Sequence, residues 1–135
     1  MYDRLVHFSF GFLLAYPIRE VFIRIAKVKG FWGYYLPFDV TLSFSGGYEI
    51  REWITAQVSD PNAGMAFLGA QGDVWDAQKD MLMAGIGALL AMIVIALINL
   101  RYNPDFWKEM KASFRLSRDD RPLGEVKIKD WRDGN

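Results

Sequence analysis

The sequence lacks cysteine altogether and has a single histidine among its 135 residues. Without a thiol, the chain can form no disulfide, no thiolate zinc site and no cysteine nucleophile. One histidine excludes the H-E-x-x-H metalloprotease motif and any site that needs two imidazoles from one chain. Net charge is also lacking, since 16 Lys and Arg balance 16 Asp and Glu. A general nucleic-acid-binding protein needs an excess of basic residues, so nucleic acid is excluded as a partner.

Charge is unevenly distributed along a chain that is 52% hydrophobic. Residues 1–100 contain 7 basic and 9 acidic residues, whereas residues 101–135 contain 9 basic and 7 acidic residues. The neutral total is therefore the sum of an apolar, slightly acidic body and a short, charge-dense basic tail. We accordingly divide the chain into a helical transmembrane domain over 1–100 and a tail over 101–135.

Residues 81–100 form the longest uncharged run of the sequence, with Asn99 as the only strongly polar member. As a helix, this run is about 30 Å long, which is the thickness of the bilayer's hydrocarbon core. A body of this size has little else to surround such a helix, so we predict a membrane span rather than a buried helix of a soluble core. Small residues at four-residue spacing predict close packing against another helix; they are Ala84, Gly87, Ala88 and Ala91.

Two earlier segments, residues 5–25 and 30–53, are also long enough to cross a bilayer. The first contains Pro17, where we expect a kink. The second carries Trp and Tyr at both ends, as an aromatic belt would, but it is interrupted by Pro37 and by Asp39. The sequence therefore predicts an all-α integral membrane protein with about three transmembrane helices.

Positive charge orients these spans, because basic loops remain on the cytoplasmic side. Arg24 at the end of the first span and Lys27 and Lys29 in the link that follows form one basic cluster, and the segment after the third span is the basic tail. Residues 60–80 instead contain four Asp and only one Lys. We predict an N-terminus outside and a cytoplasmic C-terminus. No signal-peptide pattern is visible, so the first span is expected to remain as an anchor.

In this topology, eight scattered polar residues lie at one membrane surface: Asp3, Arg4, His7, Glu49, Glu52, Asp73, Asp76 and Asp80. Their spacing within each segment is helical, so each helix can direct its acidic residues towards a common point. Six carboxylates near one histidine repel one another unless a cation or shared protons neutralise them. Such a ligand set suits Mg, Mn, Ca or Fe better than structural zinc. The alternative is that these residues are solvated helix ends at the headgroups.

Four motifs resemble the YjdF-like family of bacterial inner-membrane proteins: Y-D-R-L-x-H-F at 2–8, R-E at 19–20, Y-E-I-x-E-W at 48–53, and L-G-x-Q-G-D-x-W-D-x-Q-K-D-M at 68–81. The resemblance covers roughly residues 2–100 and extends more distantly to VanZ-like proteins. It implies a multi-pass helical protein of the bacterial inner membrane whose biochemical activity is not established. By motif match it adds Gln71, Trp75 and Gln78 as supporting signature positions. Family members have further hydrophobic helices before the first motif, so we expect a neighbouring subunit to replace them.

The tail lies outside the resemblance. Asn103, Pro104 and Asp105 are typical of a helix start, and we predict an interfacial helix over 104–116. Alternating residues over 125–131 predict an extended segment, which is unstable as a lone strand and is therefore either disordered or paired with another chain; we favour a partner. The residues predicted to contact that partner are Phe106, Met110, Phe114, Val126, Ile128 and Trp131.

Two functions remain open from the sequence. The one we favour is a small accessory or structural subunit of a larger membrane complex, with other membrane subunits and the bilayer as partners and a divalent cation as possible cofactor. The alternative is a metal-dependent hydrolase or transferase acting on a lipid-linked substrate at the outer face. The sequence identifies no catalytic residue, so we lean away from an enzyme.

Overall fold

The computed structural model describes residues 2–59, 62 and 72–115, and within them the chain is helical. Three long helices are followed by one short helix: α1 (Tyr2–Arg24), α2 (Trp32–Ser59), α3 (Asp76–Tyr102) and α4 (Phe106–Ala112). Pro17 and Pro37 both lie inside helices, so neither proline ends its helix. The second helix also continues six residues beyond the predicted boundary at 53.

The long helices lie side by side in an up-down-up arrangement. Arg4 and His7 of α1 contact Asp73 before α3 and Glu49 in the second half of α2, which places these segments at one end of the bundle. At the other end, the Asn99 Nδ2 of α3 donates a hydrogen bond to the Tyr34 hydroxyl of α2 over 2.8 Å. The first and third helices therefore run in the same direction, and the second runs opposite to both.

Small side chains fill the interior, so the helices approach one another closely. In α2 the buried residues recur every fourth position, at Gly33, Pro37, Thr41 and Ser45. Residues at this spacing share one helix face, which here faces α1 and α3. Buried hydroxyls on this face need partners, and the Thr41 hydroxyl donates to the Pro37 carbonyl over 2.7 Å. Ala84, Gly87, Ala88 and Ala91 of α3 are all buried, and Ala15 of α1 is fully buried.

Two helices, α1 and α3, are long and apolar enough to cross a membrane. Large apolar side chains on their outer faces are exposed, among them Leu13 and Val21 of α1 and Leu97 of α3. Exposed apolar faces on both helices are typical of contact with lipid. The second helix is longer than either. Polar residues are spread along it, so it has no bilayer-length stretch that is apolar enough to qualify as a membrane span.

The tail helix α4 and the residues after it pack against the start of α2. Phe106 is buried and its ring centroid lies 6.4 Å from that of Tyr34. Phe114 lies against Phe31, with ring centroids 5.1 Å apart. The helix is shorter than the predicted 104–116, since it ends at Ala112. Ser113 still donates its N–H to the Glu109 carbonyl, and its hydroxyl oxygen also accepts a hydrogen bond from the Phe31 N–H just before α2. The extended segment predicted at 125–131 lies outside the described residues.

Candidate functional site

Three chemically active side chains meet at the end of the bundle where α1 and α3 begin, beside the second half of α2, and we call this end the acidic end. They are His7, Glu49 and Asp80, and one ligand atom from each lies within 4.8 Å of the other two. The His7 Nε2 atom is 3.4 Å from the Glu49 Oε1 atom. An imidazole and two carboxylates from three helices therefore converge on one point.

The convergence follows from the inward faces of the helices. Each of the three residues extends a stripe of buried residues by one turn: His7 precedes Gly11, Glu49 follows Ser45, and Asp80 precedes Ala84. Residues four apart lie on the same helix face, so the polar residue at the end of each stripe also points inward. The small residues below bring the helix axes close, which is why the three side chains can touch.

Neighbours on α2 fix the orientation of the histidine ring. The Ser45 hydroxyl, which is 1% exposed, lies 3.4 Å from His7 Nδ1. The Tyr48 ring stands edge-on to the imidazole at a centroid distance of 5.8 Å. If Nδ1 carries the proton and shares it with Ser45, the lone pair of Nε2 is directed towards the carboxylates. A ring held through one nitrogen in this way is the usual arrangement of a metal-binding histidine.

Both carboxylates are withdrawn from water and incompletely paired. Asp80 is 4% exposed, and its Oδ1 atom is buried without a hydrogen-bond partner among the described residues. The side chain of Glu49 is 10% exposed, and its Oε1 atom is likewise without a hydrogen bond there. Burying a carboxylate oxygen without a hydrogen bond is costly, so the Asp80 Oδ1 atom requires a positive partner, either a cation or a proton. The Glu49 Oε1 atom has the His7 Nε2 atom as its neighbour, and a cation between them would serve both carboxylates.

A second group of charges lies beside this site and is internally neutralised. The Arg4 guanidinium lies 3.2 Å from Asp73 and 3.8 Å from Asp76, and the Lys79 ammonium also contacts Asp73. These contacts fasten the start of α1 to the segment before α3. The hydrogen bond from Lys79 and that from the Trp75 N–H hold the pKa of Asp73 below its ordinary value. The pairing thus contributes stability above the ordinary aspartate range and loses it as the pH falls through the lowered pKa.

The remaining predicted positions are placed around these two groups. Asp3, Glu52 and Gln78 line the same cleft as the three central residues. Trp75 is 63% exposed, so its indole points away from the interior. Of the tail residues predicted to bind a partner, Phe106 and Phe114 contact the chain's own aromatic side chains, and Met110 is half-buried. Gln71, Val126, Ile128 and Trp131 lie outside the described residues.

Sequence reasoning missed two residues that shape the site, Ser45 and Lys79. Ser45 stands four residues before Glu49, so a search for hydroxyls on the inward face of α2 would have found it. Lys79 is the lone basic residue of the acidic stretch at 60–80. Its isolation among aspartates is the signal that could have indicated its pairing with Asp73.

In a comparison with known protein families, residues 1–101 match the family described as "Predicted membrane protein (DUF2238)". The chain is also similar to the inner membrane protein YjdF of Escherichia coli (strain K12), with 40% identity over 101 residues. This alignment covers 74% of the chain but 48% of YjdF, so the chain spans about half the length of this curated relative. No solved structure matches the chain significantly. The match ends at the close of α3 and leaves α4 outside it.

Proposed function

Since the chain belongs to the DUF2238 family of membrane proteins, we propose that it is a helical subunit of a larger assembly in the bacterial inner membrane and binds one divalent cation. The location rests on the inner-membrane relative and on two helices long and apolar enough to cross a bilayer. The cation is proposed for the site formed by His7, Glu49 and Asp80. We further propose that this acidic end faces outside, because the basic residues of the 25–29 link lie at the opposite end.

The observation that most directly supports the cation site is that three ligand atoms lie within 4.8 Å of one another. Metal–oxygen distances of about 2.0 to 2.6 Å allow two ligands of one ion to be about 4 to 5 Å apart, so only small side-chain shifts are needed. A divalent ion also balances the two carboxylate charges and supplies a partner for the buried Oδ1 of Asp80 and Oε1 of Glu49. Two oxygens with one imidazole favour Mn or Fe, with Mg and Ca as the next choices.

Removing a ligand is the direct test of this site. We expect the purified protein in detergent to bind one Mn²⁺ per chain, measured by titration calorimetry and by electron paramagnetic resonance. Asp80→Asn and His7→Ala are expected to weaken binding by more than about 100-fold. Ser45→Ala, which removes only the group that orients the imidazole, is expected to weaken it by about 10- to 100-fold.

Asp39→Asn is the matched control, because Asp39 is an exposed carboxylate on the same helix as Glu49 but remote from the site. It should bind Mn²⁺ as the unaltered protein does. A thermal unfolding curve for each variant separates lost binding from lost folding. Absence of Mn²⁺ from the unaltered protein, or an equal loss in Asp39→Asn, would contradict the proposed site and leave shared protons as the neutralising partner.

Apolar side chains at the acidic end support the subunit part of the proposal. Val74 is 90% exposed and Trp75 is 63% exposed, and both precede the apolar stretch of α3. At this position a free subunit would present them to water or headgroups, whereas a neighbouring protein would cover them. Tryptophan is among the residues enriched at the energetically dominant centre of protein interfaces.

We therefore expect purification in mild detergent to yield a complex larger than the chain's own 15.5 kDa plus its micelle, with a second polypeptide in fixed ratio. Val74→Asp should release that polypeptide, since an unpaired charge at an interface is costly. Gln57→Asp adds the same charge at an exposed polar position near the same end and should not. A monomeric unaltered protein, or equal release by both variants, would refute the subunit assignment. Light scattering with mass spectrometry distinguishes these results.

A further inference from the structure

A cleft of about 1220 Å³ opens beside the proposed cation site. His7, Glu49 and Asp80 all line it, so an ion held by them is reached from the cleft. Three protein ligands leave coordination positions of a six-coordinate ion open, and these are filled by water or by an oxygen of a bound molecule. The cleft is therefore the place from which a ligand would meet the ion.

Part of the lining is large and apolar. Phe10 of α1 and Phe44 and Trp53 of α2 line the cleft and are 39%, 59% and 56% exposed, respectively. Phe10 stands three residues further into α1 than His7, towards the apolar middle of the bundle. Apolar surface beside a charged end, at the edge of a membrane span, is complementary to an amphipathic molecule with its headgroup at the ion and its chains along the helices.

The charges that remain once the proposed ion is bound indicate the headgroup. Arg4 and Lys79 neutralise Asp73 and Asp76, and the ion neutralises the two central carboxylates. Within residues 2–59, 62 and 72–115, no salt bridge reaches the other two acidic residues of the cleft, which are Asp3 and Glu52. On the positive side the cleft is lined by Arg51, whose guanidinium lies 5.6 Å from the Tyr48 ring centroid. The ion, although balanced in charge, keeps coordination positions open for an oxygen ligand.

The cleft thus presents an anion-binding locus, formed by the open coordination positions of the ion and by Arg51, and a negative locus at Asp3 and Glu52. A purely anionic headgroup would bind at the first locus and be repelled by the second. A purely cationic headgroup would bind at the second locus and be repelled by Arg51 at the first. A zwitterion with a phosphate and an ammonium group satisfies both. A primary ammonium has N–H donors for carboxylates, which a quaternary ammonium lacks.

We propose that this cleft binds a phospholipid with a phosphate and a primary ammonium in its headgroup, the phosphate at the cation and Arg51 and the ammonium at Asp3 and Glu52. The proposal rests on the proposed cation site. It assigns the cleft to a lipid of the surrounding membrane and no reaction to it. It also accounts for the aromatic side chains beside the charged groups, since they contact the glycerol and the upper acyl chains.

The test compares three lipids with the same chains, namely phosphatidylethanolamine, phosphatidylcholine and phosphatidylglycerol, added to the detergent-purified full chain with Mn²⁺. Native mass spectrometry reports the bound fraction of each. We expect phosphatidylethanolamine to bind about fivefold more tightly than phosphatidylglycerol, with phosphatidylcholine between them. Chelating the metal should weaken phosphatidylethanolamine binding by about tenfold.

The combined variant Asp3→Asn, Glu52→Gln should lose the preference for phosphatidylethanolamine while still binding one Mn²⁺ per chain. Asp39→Asn should keep both properties. Equal binding of the three lipids by a protein that binds Mn²⁺, or an unchanged preference in the combined variant, overturns the lipid assignment and leaves the cation site standing. A protein that binds no Mn²⁺ overturns both.

Discussion

Replacing Gly87 with alanine is expected to lower the free energy of unfolding by about 1 to 3 kcal/mol, because it overpacks the contact between α1 and α3. A Cβ at this position would lie 2.2 Å from the Phe8 carbonyl oxygen and 2.9 Å from the Phe12 nitrogen. Both are backbone atoms, so no side-chain rotation relieves the clash. The helices themselves must separate, as at interfaces built on closely packed small residues in membranes.

Separation of α1 from α3 would also move His7, which is next to Phe8, away from Asp80. Gly87→Ala is therefore expected to weaken Mn²⁺ binding as well as stability, although it removes no ligand. Unfolding in a denaturing detergent, followed by circular dichroism, measures the first effect, and calorimetric titration the second.

Gly47→Ala is the matched control for the Gly87 variant, since nothing lies within 4 Å of the position that its added methyl group would occupy and the residue is likewise inside a long helix. Alanine has the higher helix propensity, by up to about 1 kcal/mol, so this variant should be neutral or slightly more stable. Equal stability changes in the two variants would show that α1 and α3 are not in backbone contact at Gly87.

The Gly30→Ala variant is expected to detach the tail helix α4 from the bundle. Gly30 has a φ of +64°, and a Cβ there would lie 1.9 Å from the Ser113 hydroxyl oxygen and 2.6 Å from the Glu109 carbonyl oxygen. Ser113 accepts a hydrogen bond from the Phe31 N–H over 2.9 Å, and its carbonyl accepts one from the Trp32 indole over 3.0 Å. The first of these hydrogen bonds pairs the Phe31 N–H, which has no partner within α2. The clash at position 30 would push Ser113 away and break both hydrogen bonds.

We expect trypsin to cleave the detergent-purified Gly30→Ala protein at Lys108, Lys111 and Arg115 at least about fivefold faster than the unaltered protein, because overpacking favours local opening. Gly72→Ala is the control. It has nearly the same backbone conformation, with a φ of +65°, but no atom lies within 4 Å of the added methyl group. The control carries the same backbone strain without the clash. Equal cleavage of the two variants would mean that α4 does not dock against Gly30.

Local patterns were sufficient to predict much of the fold. The uncharged run at 81–100 predicted a spanning helix, and the structure has α3 there with five further residues at its start and two at its end. The tail was harder, since Phe106 and Phe114 at helical spacing predict an apolar face but not what covers it. Their covering by Tyr34 and Phe31 depends on where the start of α2 lies in space. Periodicity within one segment contains no information on that position.

The site was predicted as a set of residues and not as an arrangement. The predicted topology placed eight polar residues at one end, yet the structure divides them: Arg4 pairs with Asp73 and Asp76, whereas His7 meets Glu49 and Asp80. One sequence signal distinguishes the central three, namely that each extends a buried stripe of small or hydroxyl-bearing residues by one turn. That signal is weak until the stripes are known to face one another.

By itself, the sequence determined that the chain is helical and belongs in a membrane, because a twenty-residue uncharged run can satisfy its backbone only as a helix and is long enough to span the hydrocarbon. The lack of cysteine and the single histidine also determined that any metal site would be rich in carboxylates. Only the tertiary structure decided which carboxylates share the imidazole. The register of α1 against α3 depends on how closely Gly11 and Gly87 allow their backbones to approach, and this is a property of the packed bundle rather than of any one segment.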